Sequence, residues 1–464
     1  MRGERKVECG MRNAEGDHKA AVVPESLHRD ITVMRAIKAS GIIVLSLVTL
    51  VFAVVGVLYL TRGTPVATVR TFGDGAPPGV GEPLFRRTLE LLSGMTLRQG
   101  NDIDVLTNGD QTFARLWDDL RSAKKSITVQ FYYCLPGQVA TRMKDILIER
   151  ARAGVQVLFL RDAFGSQNLT EEYNDSLTSA GVRVAEFRPP RWYQLDKAAH
   201  RSHIRVVVVD GHVGYTGGFG LDDKFLGDGR KEGSWRDTNV RFTGPAVMQL
   251  QATFAAGWAE ATGELVTGDV FFPLEEFQPD GDYYAALLYT APTTGSTPAE
   301  RFLALSLAGA RKTLYIANSY FVPDDDIRRM LTMAAKRGVD VRVLTASNKT
   351  DIKTTWYAGR RRYEELLEGG VRIYEYQPSM MHAKTFVIDG AWSTIGTMNF
   401  DNRSLAFNDE SNLVAFDRRI GAAMDSLFLE DLKFSKEITL EEFRRRPWYQ
   451  KLFENAAHLL SRVL

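Results

Sequence analysis

The chain has almost no cysteine: Cys9 and Cys134 are the two in 464 residues. They stand on opposite sides of a long apolar stretch, which excludes both a disulfide framework and a cysteine-based zinc site. An excess of charge of one sign is also missing. Lys and Arg number 58 against 57 Asp and Glu, a net charge of +1. That balance gives no global field for nucleic acid, although a local basic groove stays compatible with it. Long uncharged runs are absent too, with one exception at residues 39–61, ASGIIVLSLVTLVFAVVGVLYLT. Elsewhere the composition is that of an ordinary globular chain, long enough for two domains.

The exception reads as a membrane span. Its 23 residues extend ~34 Å as a helix, enough for a hydrocarbon core of ~30 Å. The 38 residues before it fit an uncleaved anchor better than a signal peptide. Arg29, Arg35 and Lys38 precede the span while Arg62 and Arg70 follow it. This small bias places the N-terminus in the cytoplasm and the larger C-terminal region outside it. Residues 1–38 read as a polar tail without periodicity, and residues 62–83, rich in Gly and Pro, as a linker.

The remainder repeats itself. Lys125-Ser-Ile-Thr-Val-Gln-Phe-Tyr-Tyr133 parallels Lys312-Thr-Leu-Tyr-Ile-Ala-Asn-Ser-Tyr320. Gly154-Val-Gln-Val parallels Gly338-Val-Asp-Val, and Gly181-Val-Arg-Val parallels Gly370-Val-Arg-Ile. Each match follows a helical stretch, the pattern of strands joined through covering helices. Three matches in the same order, 184 to 189 residues apart, indicate two copies of one αβ unit. The segment Thr267 to Asp282, with Pro273, Pro279 and Gly281, is the natural boundary. The expected domains are residues 84–270 and 271–464.

A sharper signal follows each copy. The first half carries His203-Ile-Arg205-Val-Val-Val-Val-Asp210-Gly and then Gly217-Gly218-Phe-Gly220. The second carries His382-Ala-Lys384-Thr-Phe-Val-Ile-Asp389-Gly and then Gly396-Thr397-Met-Asn399. A β-branched run, an Asp-Gly turn and a second apolar run read as a hairpin. Along a strand, residues i and i+2 share a face, so each histidine and the basic residue two positions on point together. One can attack or protonate while the other holds phosphate oxygens. A phosphodiester needs a nucleophile, an acid for the leaving alkoxide and compensation for persistent negative charge. Each half offers one such histidine, so the two halves must meet.

These segments resemble the paired H-x-K-x-x-x-x-D motifs of the phospholipase D superfamily. Tyr320-Phe-Val-Pro-Asp324, Tyr215-Thr-Gly-Gly218 and Trp235-Arg-Asp-Thr238 are similar to bacterial cardiolipin synthases, and the likeness runs from about residue 95 to the C-terminus. The resemblance implies two tandem αβα sandwich domains with pseudo-two-fold symmetry behind one N-terminal transmembrane helix. It implies a metal-independent, cofactor-free reaction through a phosphohistidine, with His203 the nucleophile and His382 the general acid/base in the usual order. Phosphatidylglycerol as donor and acceptor would give cardiolipin; water as acceptor would make the same site a phospholipase. A superfamily nuclease and a silent phosphate-binding scaffold are the remaining readings. The span and near-zero charge argue against the first, so no nucleic-acid partner is expected; the intact second motif argues against the scaffold.

The first half departs from the pattern twice. Arg205 takes the usual lysine position, and Gly220 stands where the second half has Asn399. Arginine keeps the charge but is longer and forked, so the two changes can compensate each other in space. After each hairpin an acid recurs in matching context, Asp237-Thr-Asn239-Val and Glu410-Ser-Asn412-Leu, 173 residues apart. A catalytic histidine needs a partner on its other ring nitrogen, and Asp237 and Glu410 are the candidates. Asp210 and Asp389 complete the motifs and sit where they would hold the turns. His200, His203 and His212 lack the spacing of a metal site. Tyr132, Asn318, Ser319 and Tyr320 end repeated strands, in the pocket or in the core. Trp448 to Leu464 has one apolar helical face, suited to lipid beside Arg444-Arg-Arg446 or to packing on the domain. Arg360-Arg-Arg362 reads as a solvated helix face.

Overall fold

The structure, a computed structural model, describes residues 25–60, 76–189, 200–274, 281–292 and 297–460. The start of the polar tail, Thr61, most of the linker, residues 275–280 of the inter-half segment and the last four residues lie outside them. Two units are compact in themselves, residues 1–60 and 61–464.

In the first unit, helix α1 runs Glu25–Leu60. Its segment Val33–Val57 is long and apolar enough to cross a bilayer. The tail expected to lack structure is therefore helical from Glu25. Glu25, Leu27, Arg29, Met34, Ala36 and Lys38 are good helix formers, and a helix already nucleated in the apolar run extends through them at little cost.

The second unit opens with α2 (Pro83–Ser93), β1 (Arg98–Thr107) and α3 (Asn108–Ser122). Strands β2 (Ser126–Phe131), β3 (Gln156–Asp162) and β4 (Arg183–Phe187) follow, joined through α4 (Gln138–Arg152) and α5 (Glu171–Ser179). The hairpin β5 (Val206–Val209) and β6 (Val213–Gly217), then β7 (Thr238–Thr243) and α6 (Pro245–Thr262), complete the first half. The second half repeats the scheme with β8 (Tyr283–Thr290), α7 (Pro298–Gly309), β9 (Thr313–Asn318), α8 (Asp325–Lys336) and β10 (Asp340–Ala346). Helices α9 (Lys353–Arg360) and α10 (Tyr363–Glu368) lead to β11 (Arg372–Tyr376) and the hairpin β12 (Lys384–Ile388) and β13 (Trp392–Gly396). Then come α11 (Asn402–Ala406), β14 (Glu410–Phe416), α12 (Arg418–Leu432), β15 (Ser435–Ile438), α13 (Leu440–Arg444) and α14 (Trp448–His458).

The strands of the described residues form one sheet, in the order β4-β3-β2-β5-β6-β7-β1-β8-β14-β13-β12-β9-β10-β11-β15. The order is nearly a mirror about the antiparallel β1–β8 contact, which is the seam between the halves. Parallel strands within each half are joined by the right kind of crossover, a helix laid on the sheet face. Leu250, Phe254 and Trp258 of α6 share a central core with Ile420, Met424 and Phe428 of α12. Apolar residues of α3 and α4 cover one outer face, and those of α7 and α8 the other. Helix α2 falls in the first half by sequence position but packs on the second. Its Phe85 and Leu89 enter that core, with the Phe85 ring 5.6 Å from Trp392.

Both hairpins turn through Asp-Gly. Asp210 and Gly211 have φ of 54° and 67°, Asp389 and Gly390 of 53° and 59°, two consecutive left-handed residues as a type I′ turn requires. The carboxylate of Asp210 accepts from the backbone N–H groups of Lys124, Lys125 and Ser126. Asp389 does the same for Arg311, Lys312 and Thr313. Each aspartate thus ties its turn to the start of the neighbouring strand.

Candidate active site

The strands deliver their histidines to the seam. The backbone N–H of His203 donates to the Asp409 carbonyl at 3.0 Å, and that of His382 donates to the Arg236 carbonyl at 2.7 Å. The approach to each histidine is therefore paired with the chain just before the other half's acid. As a result the acids serve crosswise. Nδ1 of His203 lies 3.0 and 3.1 Å from the carboxylate oxygens of Glu410. Nδ1 of His382 lies 2.8 Å from Oδ2 of Asp237. All four groups are buried. With Nδ1 taken on both rings, Nε2 is the nitrogen left for chemistry, and both rings line one cavity of about 510 Å³.

The basic residues of the motifs stand beside their histidines, as the strand period requires. Nη1 of Arg205 donates to the His203 carbonyl, and Nζ of Lys384 to the His382 carbonyl, each at 2.6 Å. From there the halves diverge. Lys384 also donates to the Ser319 hydroxyl at 2.9 Å, which in turn donates to Oδ1 of Asn399 at 2.8 Å. The matching first-half positions are Arg205, Tyr132 and Gly220, so three replacements go together. A β-carbon at Gly220 would stand 3.0 Å from the Tyr133 carbonyl oxygen and 3.1 Å from the Phe225 ring, so an asparagine has no clear room there. The Tyr132 ring instead meets His203 edge-on, with centroids 5.5 Å apart.

The acids are also set differently. The Thr397 hydroxyl donates to Glu410 at 2.5 Å. Gly218 occupies the position matching Thr397, and a side chain there would overlap the Asp237 carboxylate. Burial pushes Asp237 up to about 6 and Glu410 up to about 8. Burial first, then the charges of Arg205 and Lys384, holds both imidazoles well below the usual histidine range, so both are neutral at pH 7. Lys384 is pushed down to about 7 by its burial. Arg205 is lowered too, again by burial, but an arginine starts so high that it stays charged.

Aromatic rings close the His382 side: Trp235 lies 4.8 Å away and Phe225 5.2 Å, centroid to centroid. Nζ of Lys224 sits 4.0 Å above both the Trp235 and Tyr133 rings. With Arg201 and Arg403 also in the wall, the cavity is cationic and suits an anion. Among the described residues no group of His, Cys, Asp or Glu is placed to hold a metal ion.

Seven of the nine expected residues meet at the cavity or directly behind it: His203, Arg205, His382 and Asn399 in its wall, Lys384, Asp237 and Glu410 as their support. Asp210 and Asp389, which complete the two motifs, are not there. Each lies at the far end of its strand, because six residues of chain separate it from its histidine, and its carboxylate is taken up by backbone N–H groups. Of the strand-end residues, Tyr132 and Tyr320 line the cavity and Ser319 holds Lys384. Trp235, Lys224 and Arg403 were not singled out for the wall; only the place of Trp235, two residues before an acid, hinted at it. Arg360 is not solvated but buried, 2.6 Å from Glu375.

A two-half fold in which paired histidines converge on one cationic cavity defines the class of phospholipase D-like proteins. A family model described as "Cardiolipin synthase, PLD-like domain" matches residues 116–258 and 303–432. Cardiolipin synthase 2 of Bacillus anthracis is 36% identical over 386 residues, 82% of this chain and 74% of that protein. The major cardiolipin synthase ClsA of Bacillus subtilis is 32% identical over 367 residues, 79% and 76% of the two chains. The crystal structure of phosphatidylserine synthase from Haemophilus influenzae superposes with a TM-score of 0.62 at 14% identity, over 82% of this chain and all of that one. The last likeness is one of fold. The chain belongs to the cardiolipin synthase family of phospholipase D-like enzymes, and is a phosphatidyltransferase of that type.

Proposed function

We propose that this protein joins two phosphatidylglycerol molecules into cardiolipin and glycerol through a phosphohistidine on His203. One observation carries the reading: two imidazoles, each with Nδ1 held by a buried carboxylate of the opposite half, present Nε2 to one cationic cavity. Arg205 and Lys384 offset the negative charge of the phosphodiester as it gains bonds. Nε2 of His203 attacks phosphorus; the bond to the glycerol headgroup oxygen breaks, and that oxygen takes a proton from Nε2 of His382. The hydroxyl of a second phosphatidylglycerol then gives its proton to His382 and attacks phosphorus, and the P–N bond breaks. The entering anion offsets the two charges that suppress the His382 proton affinity, so the acid form becomes available when substrate is bound. Helix α1 anchors the protein in the cell membrane, and the bias of Arg29, Arg35 and Lys38 over Arg62 and Arg70 puts the catalytic unit outside the cytoplasm.

The test uses a labelled phosphodiester with a nitrophenol leaving group, which departs without an acid. The His382→Ala variant is expected to accumulate a base-stable, acid-labile label on His203, and His203→Ala to form none. Label found on His382 in the His203→Ala protein would reverse the assignment. Incubation of the intact enzyme with phosphatidylglycerol should yield cardiolipin and free glycerol; phosphatidic acid as the sole product would mean hydrolysis instead.

A further inference from the structure

Helix α14 is mounted with its apolar side outward. Its inward face carries Glu454, fully buried and bonded to Arg446 at 2.9 Å, with Arg360 at 3.5 Å on the same carboxylate. Ala457 fills a small core with Ala358 and Val322. The large apolar residues are left in the open: Trp448 is 76% exposed, Leu452 57% and Leu459 75%, with Tyr449 and Phe453 between them. Spaced i, i+1, i+4 and i+5, Trp448, Tyr449, Leu452 and Phe453 share one side of the helix, and Leu459 caps its C-terminal end. A buried ion-pair cluster and one small apolar contact thus fix the helix to the domain and turn its apolar stripe to the outside.

Helix α9 links the stripe to the wall of the catalytic cavity. Helix α9, eight residues and ~12 Å long, starts beside Ile352 and reaches α14 at Tyr357, whose ring lies 5.6 Å from Phe453. Ile352 and Phe164 both line the cavity and are 44% and 58% exposed. On α14 itself the one acid, Glu454, is buried and Lys451 is exposed, whereas Arg445, one turn before the helix, is paired at 2.6 Å with the exposed Glu441. Tryptophan and tyrosine beside aliphatic side chains, with Lys451 exposed among them, match the depth profile of a bilayer surface, where amphipathic rings sit at the headgroups and a lysine reaches anionic phosphate.

We propose that α14 and the cavity rim at Ile352 and Phe164 dock into an anionic phospholipid surface, so that a lipid headgroup passes from the bilayer into the cavity along α9. The choice of lipid as occupant rests on the lipid-transfer reading above. The docking has its own readout.

The full chain is reconstituted into phosphatidylglycerol vesicles that contain acyl-brominated lipid, which quenches tryptophan in the acyl region. Quenching should be at least a third weaker in Trp448→Phe than in the unaltered protein; equal quenching in the two overturns the docking. Leu452→Glu and Leu459→Glu, both at open positions, should cut turnover of vesicle lipid at least tenfold. The same variants should keep turnover of monomeric short-chain phosphatidylglycerol within twofold, which also shows that they fold. Unchanged turnover in vesicles overturns the proposal. So does a shift in oligomeric state in detergent without loss of quenching, since the stripe would then join two copies of this chain. If the unaltered protein turns over neither lipid, the lipid-transfer reading fails, and the quenching comparison still decides the docking.

Discussion

Exchanging each supporting acid for its amide should disable the histidine of the opposite half, and the two losses can be told apart. In Asp237→Asn the side chain keeps its shape and its place beside Nδ1 of His382, 2.8 Å away. What disappears is the negative charge that supports the imidazolium when His382 carries the leaving group's proton. Charge centres about 4 Å apart interact by ~4 kcal/mol at an effective dielectric of about 20, which corresponds to ~10³-fold in rate. Glu410 is set at about 8, so above that pH Glu410→Gln removes the same support from His203, at 3.0 Å, and should cost a similar factor. The lipid substrate cannot separate them; the leaving group can. With a nitrophenyl phosphodiester the departing oxygen needs no proton, so Asp237→Asn should release a burst of one nitrophenolate per enzyme within about tenfold of the normal rate. Glu410→Gln should stay ~10³-fold slow, because the attack itself is impaired. If Glu410→Gln were rescued and Asp237→Asn were not, the crosswise assignment of roles would be wrong, whatever the distances.

The alkaline side of the pH profile should belong to Lys384. Burial sets it at about 7, so kcat/KM should fall as pH rises through that value and the ammonium is lost. Lys384→Arg should remove that limb, and a limb that survives would refute its assignment to Lys384. Arg205→Lys should lower kcat/KM about tenfold, the worth of one hydrogen bond to a charged group, since a lysine there finds Tyr132 where Lys384 has the Ser319 hydroxyl. Adding Tyr132→Ser should recover most of the loss, and unaltered kinetics in Arg205→Lys alone would show that the arginine has no special role. Asp389→Ala should lower stability to urea by about 3 kcal/mol, because three backbone N–H groups lose their acceptor and alanine must take a left-handed φ. Its rate per folded molecule should change little, and a purely kinetic defect would return Asp389 to the chemistry.

The histidines, their basic neighbours and the two acids were legible because strand period and duplication are properties of the chain itself. His203 and His382 announce themselves by identical surroundings, and Asp237 and Glu410 by the repeated acid, hydroxyl, Asn context. The exchange of acids was not legible. Two equivalent motifs allow either pairing, and the choice depends on how the halves meet at β1 and β8, a contact between strands far apart in the chain. Helix α2 is unreadable for the same reason: its apolar face fits either half, and the seam decides that Phe85 meets Trp392. The outward face of α14 escaped because a helical stripe says which residues lie together, never which way they point. Only Glu454, an acid opposite the stripe and pinned by two arginines, settles the direction.

The seam then becomes part of the catalytic apparatus. The residue before each acid forms an ion pair with the opposite half: Arg236 with Asp431 of α12 at 2.7 Å, and Asp409 with Arg188 at 3.3 Å. In both pairs the first half supplies the cation and the second half the anion, so the two halves present complementary charge to each other across the seam. All four residues are buried or largely so, where removing one partner strands a charge and costs far more than the pair contributes. Disturbing either pair should therefore displace an acid and, through it, the histidine of the other half. A half expressed alone would keep its histidine, its basic residue and its hairpin, yet would hold a carboxylate with no imidazole to orient and an imidazole with no carboxylate. That is a physical reason for this chemistry to need both copies, even though one copy already contains every residue type the reaction uses.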